Sequence, residues 1–86
     1  DAQKSFNGRS RPWCLTRAAC PGLQRYAGTW TGDNRCSWNT LKFNIPMGLN
    51  LSLSGFPLIG HDVGGFAGNK PSKELFVRWV QNGIFH

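Results

Sequence analysis

Only four of the 86 residues are acidic, and two of them, Asp33 and Asp62, stand in polar or Gly-rich turns, Gly32-Asp33-Asn34 and Asp62-Val63-Gly64-Gly65. Two carboxylates so placed can divide acid and base work between them, with a nearby cation, Arg17, to orient one. A plainer reading is open as well, in which Asp33 caps a helix and Asp62 fixes a glycine turn. Metal chemistry has little to work with. Cys14, Cys20 and Cys36 form no C-x-x-C pair, and His61 is the sole internal imidazole, whereas zinc takes at least three well-placed protein ligands. The cysteines therefore read as reduced packing residues, and no metal or other cofactor is expected.

These residues must be positioned by short elements. Trp13-Cys14-Leu15-Thr16, behind Pro12, is a β-prone run that ends at Arg17, and a Gly- and Pro-bearing stretch follows to Gly28. Thr29-Trp30-Thr31 is a second strand, stopped by Gly32-Asp33-Asn34. Phe56-Pro57-Leu58-Ile59 is a continuous apolar run between glycines, as expected of a strand buried on both faces. A closing helix has Ser72 as its cap, Glu74 in its first turn, Leu75, Phe76, Trp79 and Val80 on one apolar face, and Gly83 as its stop. Residues 41–53 are ambiguous. Leu41, Phe43, Ile45, Met47, Leu49, Leu51 and Leu53 alternate as in a strand, yet Leu41, Ile45, Leu49 and Leu53 also recur at the helical i+4 spacing. Pro46 weakens the strand, because it cannot donate in a central ladder, and in a helix it should kink the rod or mark a local start. The order strand, loop, strand, helix, strand, helix predicts an α/β architecture with parallel strands, so that Arg17, Asp33 and Asp62 all follow strand ends, where such folds collect function.

The residues also carry a resemblance. Leu15-Thr16-Arg17, Gly22-Leu23-Gln24-Arg25-Tyr26-Ala27-Gly28, Trp30-Thr31-Gly32-Asp33-Asn34 and Asp62-Val63-Gly64-Gly65-Phe66 resemble, in order and spacing, successive signatures of glycoside hydrolase family 31, the α-glucosidase family. Residues 75–81, preceded by Asn69 and Pro71, are similar to the family's next segment. The resemblance implies part of a (β/α)8 barrel, about strand five to the helix after strand seven, and makes residues 41–53 a helix. It implies that Asp33 is the general acid/base of a retaining mechanism, which needs a carboxyl still protonated when the bond breaks. Trp30 would be an aromatic wall of the sugar pocket, Arg17 and Asp62 would bind sugar hydroxyls, and Phe66 would line the site. Asp33 and Asp62 would then not be the catalytic pair, since the family's nucleophile is an aspartate on an earlier strand. His61 departs from the small residue usual beside Asp62, and Cys20-Pro21 from a more typical aromatic or small pair.

The implied substrate is an α-linked glucoside or oligosaccharide, and the implied partner is the rest of the barrel. A degenerate relative that only binds carbohydrate is the alternative. Six of the ten basic residues lie in the first 35 positions, interleaved with Trp13 and Trp30, which would suit a single-stranded nucleic acid. They are dispersed without a run, and the aromatics stack equally well on sugar faces, so no nucleic-acid partner is expected. No apolar stretch suits a membrane span or a leader peptide. Asn50-Leu51-Ser52 fits a glycosylation acceptor but is expected to be buried and unused. By length alone, 86 residues suit one small domain, with 1–10 an approach loop. Against a barrel of about 250 residues they are roughly a third, so residues 1–86 read as one segment of a catalytic barrel. The isolated chain is then expected to lack partner surface and to show no sharp cooperative melt.

Overall fold

Apolar runs become strands here only where a neighbour offers a ladder. In the computed structural model, which describes residues 12–86 together with Ser5 and Gly8, β1 (Leu15–Thr16), β2 (Gly28–Trp30) and β3 (Ile59–Gly60) form a parallel sheet in the order β1-β2-β3. Leu15 lies opposite Gly28, Thr29 opposite Ile59, and Trp30 opposite Gly60. A 3₁₀ turn, Leu23–Arg25, joins β1 to β2. Helix α1 (Trp38–Leu53) connects β2 to β3, and α2 (Lys73–Gly83) follows. The expected order of elements and the parallel pairing are both present. Most of the approach loop lies outside the described residues.

The boundaries differ from expectation for physical reasons. Trp13 and Cys14 precede β1, although the Cys14 carbonyl still accepts from Gly28 N at 2.9 Å. The run 56–59 is not a strand buried on both faces: β3 starts only at Ile59, and Leu58 is exposed. Pro57 has no N–H to give a ladder, and Leu58 contributes its carbonyl, accepting from Thr29 N at 2.9 Å. Because paired residues share a face, Leu15, Gly28 and Leu58 lie on one side of the sheet and Thr29 and Ile59 on the other. On the second face Thr29 and Ile59 are buried, whereas on the first Leu15 and Leu58 are exposed.

Residues 41–53 are helical. Ser37, in extended conformation, caps α1 by accepting from Thr40 N at 3.1 Å, so the helix starts beyond Asp33 rather than on it. Pro46 does not break the rod, although the Lys42 carbonyl loses its intrahelical donor. The buried face is not the i+4 stripe. It is Leu41, Asn44 and Gly48, whereas Ile45, Leu49 and Leu53 are exposed. Asn50 and Ser52 are exposed as well, so the glycosylation pattern is not buried, contrary to expectation.

Helix α2 is capped as expected, with Ser72 Oγ accepting from Leu75 N at 3.2 Å. Only Leu75 and Trp79 of its apolar face are buried, and they form a core cluster with Leu41, with Cys36 packed alongside. Phe76 and Val80 stay exposed. Gly83 does not stop the helix. It is the last helical residue, and a Cβ there would stand 2.7 Å from Val63 Cγ2, so its smallness admits the loop after β3. All three cysteines are free, but only Cys36 packs, while Cys14 and Cys20 are exposed. No helix among the described residues is long and apolar enough to cross a membrane.

Candidate functional site

Three parallel strands end side by side, and one candidate follows each. Arg17 comes directly after β1, Asp33 three residues after β2, and Asp62 two residues after β3. Arg17 and Asp33 meet, with Nη1 to Oδ2 at 3.7 Å. Their side chains are 61% and 45% exposed, so the pair adds little stability. Gly32 makes the approach possible. Its φ of +83° suits a residue without Cβ, and a Cβ there would stand 2.5 Å from Arg17 Nε. Because Ser37 caps α1, the reading of Asp33 as a helix cap falls away.

The loop after β2 is fastened to the loop after β3. The Asn34 carbonyl accepts from Phe66 N at 2.8 Å and from Ala67 N at 3.1 Å, and Cys36 N donates to the Ala67 carbonyl at 2.8 Å. Arg35 and Ala67 form a parallel bridge. Gly65, with φ +78°, lies so close that a Cβ would stand 2.6 Å from Cys36 Cα. The Asp62 carbonyl accepts from Gly65 N at 3.0 Å, so its backbone does close a glycine turn. Asp62 is half-buried, and among the described residues no side chain hydrogen-bonds its carboxylate. Phe66 is 69% exposed. Trp30 is half-buried and, with Arg17, Thr31, Met47, Leu51 and Phe56, lines a concavity of about 300 Å³. Arg17 and Asp33 are thus in contact, Trp30 shares a hollow with Arg17, and Asp62 and Phe66 are tied to Asp33 through backbone. Sequence reasoning missed Asn34 and Asn44, whose amides lie 3.5 Å apart beneath this loop. Asn34 stands within a family-like motif, but nothing in the sequence marks Asn44.

His61, beside Asp62, belongs to the packing below. Asn82 Nδ2 lies 3.1 Å from its Nε2, and its ring meets that of His86 edge-on at 4.7 Å. Burial, then the charge of His86, lowers its pKa from 6.5, while Asp62 opposes the shift. The folded pKa lies below the unfolded one, so the unfolded chain binds the extra proton. The stabilising contribution is present in full above the unfolded 6.5 and is lost as the pH falls through the folded value. In the full-length protein, His61→Asn should therefore flatten the fall in unfolding midpoint between about pH 7 and about pH 5. Thermal unfolding of both proteins across that range checks this, and parallel curves would contradict it.

No group of three or more potential metal ligands occurs among the described residues. The model of the family described as "Glycosyl hydrolases family 31 TIM-barrel domain" matches residues 1–86. The chain is 53% identical over 83 residues to Alpha-glucosidase 2 of Bacillus thermoamyloliquefaciens, covering 96% of this chain and 10% of that protein. It is 49% identical over 82 residues to Neutral alpha-glucosidase C of Homo sapiens, covering 95% and 9%. A crystal structure of a glucosidase II alpha subunit, bound to alpha3-Glc2, aligns with a TM-score of 0.84 at 53% identity, covering 87% of this chain and 8% of that one. The chain spans about a tenth of the length of the curated relatives it matches.

Proposed function

The chain belongs to glycoside hydrolase family 31, and from that we propose that residues 1–86 are the segment of a catalytic barrel from about strand five to the helix after strand seven. The full-length protein is then a retaining, α-glucosidase-like hydrolase that removes glucose from the non-reducing end of α-glucosides. The observation that carries this reading is the placement of Arg17, Asp33 and Asp62 after the carboxyl ends of three adjacent parallel strands, with Arg17 and Asp33 in contact.

In this reading Asp33 works twice. It gives its proton to the departing glycosidic oxygen while an aspartate from an earlier strand attacks the anomeric carbon, and it then takes a proton from the water that releases the sugar. Arg17 and Asp62 hold sugar hydroxyls, Trp30 lies against a sugar face, and Phe66 lines the approach. The nucleophile comes from outside these residues, so the segment alone is inactive. The rest of the barrel covers the open sheet face with Leu15 and Leu58 and flanks α1 at Ile45, Leu49 and Leu53, all of which are exposed here.

Following maltose hydrolysis by the full-length protein with proton NMR tests the reading. Glucose from the non-reducing end should appear first as the α-anomer. First release as the β-anomer would overturn the retaining mechanism, and saturable binding without hydrolysis would mark a non-catalytic relative.

A further inference from the structure

Directly beneath the Asp33 loop, α1 buries a polar side chain where an apolar one would pack without cost. Asn44 is 1% exposed, on the same face as Leu41 and Gly48. Its Nδ2 has no hydrogen-bond partner, and its Oδ1 has one, Asn34 Nδ2 at 3.5 Å. Asn34 uses nearly all of its bonding capacity on position. Its Nδ2 also donates to Thr31 Oγ1 at 2.5 Å, its backbone N donates to the Gly32 carbonyl at 2.9 Å, and its carbonyl receives both Phe66 N and Ala67 N. Asn34 is therefore the point where the strand end at Thr31, the loop after β3 and helix α1 are joined, and Asp33 is its immediate neighbour.

We propose that Asn44 is a positioning residue that acts through Asn34: the buried amide fixes Asn34 from the helix side, and so sets the direction of the Asp33 carboxyl relative to the loop bearing Asp62 and Phe66. This rests on the reading of Asp33 as general acid/base. Asp33 is half open to solvent and its described partner, Arg17, is a long and exposed side chain, so a fixed heading has to come from the backbone on either side. On one side Gly32 provides a turn that only a glycine takes easily, and on the other Asn34 provides the anchor. Displacing a proton donor by a fraction of an ångström costs most where the proton is most needed.

The test compares Asn44→Leu, Asn34→Ala, the double variant and Asp33→Asn in the full-length protein, with kcat/KM for maltose and for 2,4-dinitrophenyl α-glucoside. Maltose needs an acid for its departing alcohol, and the dinitrophenolate departs without one. Asn44→Leu should lower kcat/KM for maltose about tenfold or more and for the aryl glucoside less than about threefold, as expected of a misaimed acid. The double variant should be little worse than either single one, because both act through one junction. Equal losses on the two substrates, or no loss, would overturn the proposal, as would additive effects. Asn34→Ala, in a half-buried loop, probes the same junction by the same substrate comparison if Asn44→Leu fails to fold. If Asp33→Asn itself affects both substrates alike, the acid/base reading fails instead. If Asp33→Asn discriminates and the asparagine variants do not, the reading stands and this inference falls.

Discussion

Asp33→Asn in the full-length protein is expected to lower kcat/KM for maltose about a thousandfold while leaving the fold intact. Asparagine matches the shape of aspartate but has no acidic proton for a departing oxygen. A thousandfold corresponds to about 4 kcal/mol of transition-state stabilisation, since each tenfold is about 1.4 kcal/mol. The structural cost is far smaller. The carboxylate is 45% exposed, and its described partner is an exposed guanidinium 3.7 Å away, an arrangement worth about 0–1 kcal/mol. Catalysis should therefore collapse without a matching fall in the unfolding midpoint. The same variant should spare the first step on 2,4-dinitrophenyl α-glucoside and stall at the second, where water needs a base. Azide needs none, so it should restore turnover and yield an α-glucosyl azide. Normal maltose hydrolysis by this variant would remove Asp33 from the acid/base role.

Gly65→Ala should have the largest effect on folding. At Gly65 two penalties coincide, a φ of +78° and a Cβ that would stand 2.6 Å from Cys36 Cα and 2.8 Å from Cys36 N. The left-handed backbone alone costs about 1–2 kcal/mol for a residue with a Cβ. The collision decides the outcome, because both atoms are backbone and cannot rotate away. Relief requires the loops after β2 and β3 to part, which strains the bonds from Phe66 N and Ala67 N to Asn34 and from Cys36 N to Ala67. A loss of about 3–5 kcal/mol is expected, at the exceptional end for single substitutions. Gly68→Ala separates the two penalties. Its φ is +92°, but the nearest atom to its Cβ is Arg35 Nε at 4.0 Å, so it should cost only the backbone contribution. Thermal inactivation of the two variants should differ clearly, and similar midpoints would show that the contact at Cys36 relaxes freely.

Both predictions concern residues that the sequence makes conspicuous, but for unequal reasons. Asp33 stands out because acids are rare in this chain and because its neighbours carry a family pattern. Gly65 stands out only as part of a glycine turn, and its close approach to Cys36 cannot be inferred, since α1, β3 and the loops around them separate the two along the chain. Asn44 is hidden. In residues 41–53 it stands among the polar members of an alternating pattern, where any polar residue reads as solvent-facing in a strand and nothing distinguishes it in a helix.

By itself, the sequence determined what local chemistry controls: the order of elements, the cap at Ser72, the turns at Gly32 and Gly64-Gly65, and the parallel α/β class. It also determined the family, because ordered motifs of fixed spacing are local text. Tertiary structure alone decided where each strand begins, since a ladder exists only opposite a partner, and left β1 with just Leu15 and Thr16. It alone buried Leu41, Asn44 and Gly48 of α1 in place of the regular i+4 stripe. Periodicity reports which faces a rod has; burial reports which of them meets a neighbour. The two carboxylates that look like a pair in the sequence are, in space, one that lies 3.7 Å from the Arg17 guanidinium and another with no side-chain hydrogen-bond partner among the described residues. That difference comes from long-range packing of three strand ends, which no spacing along the chain encodes.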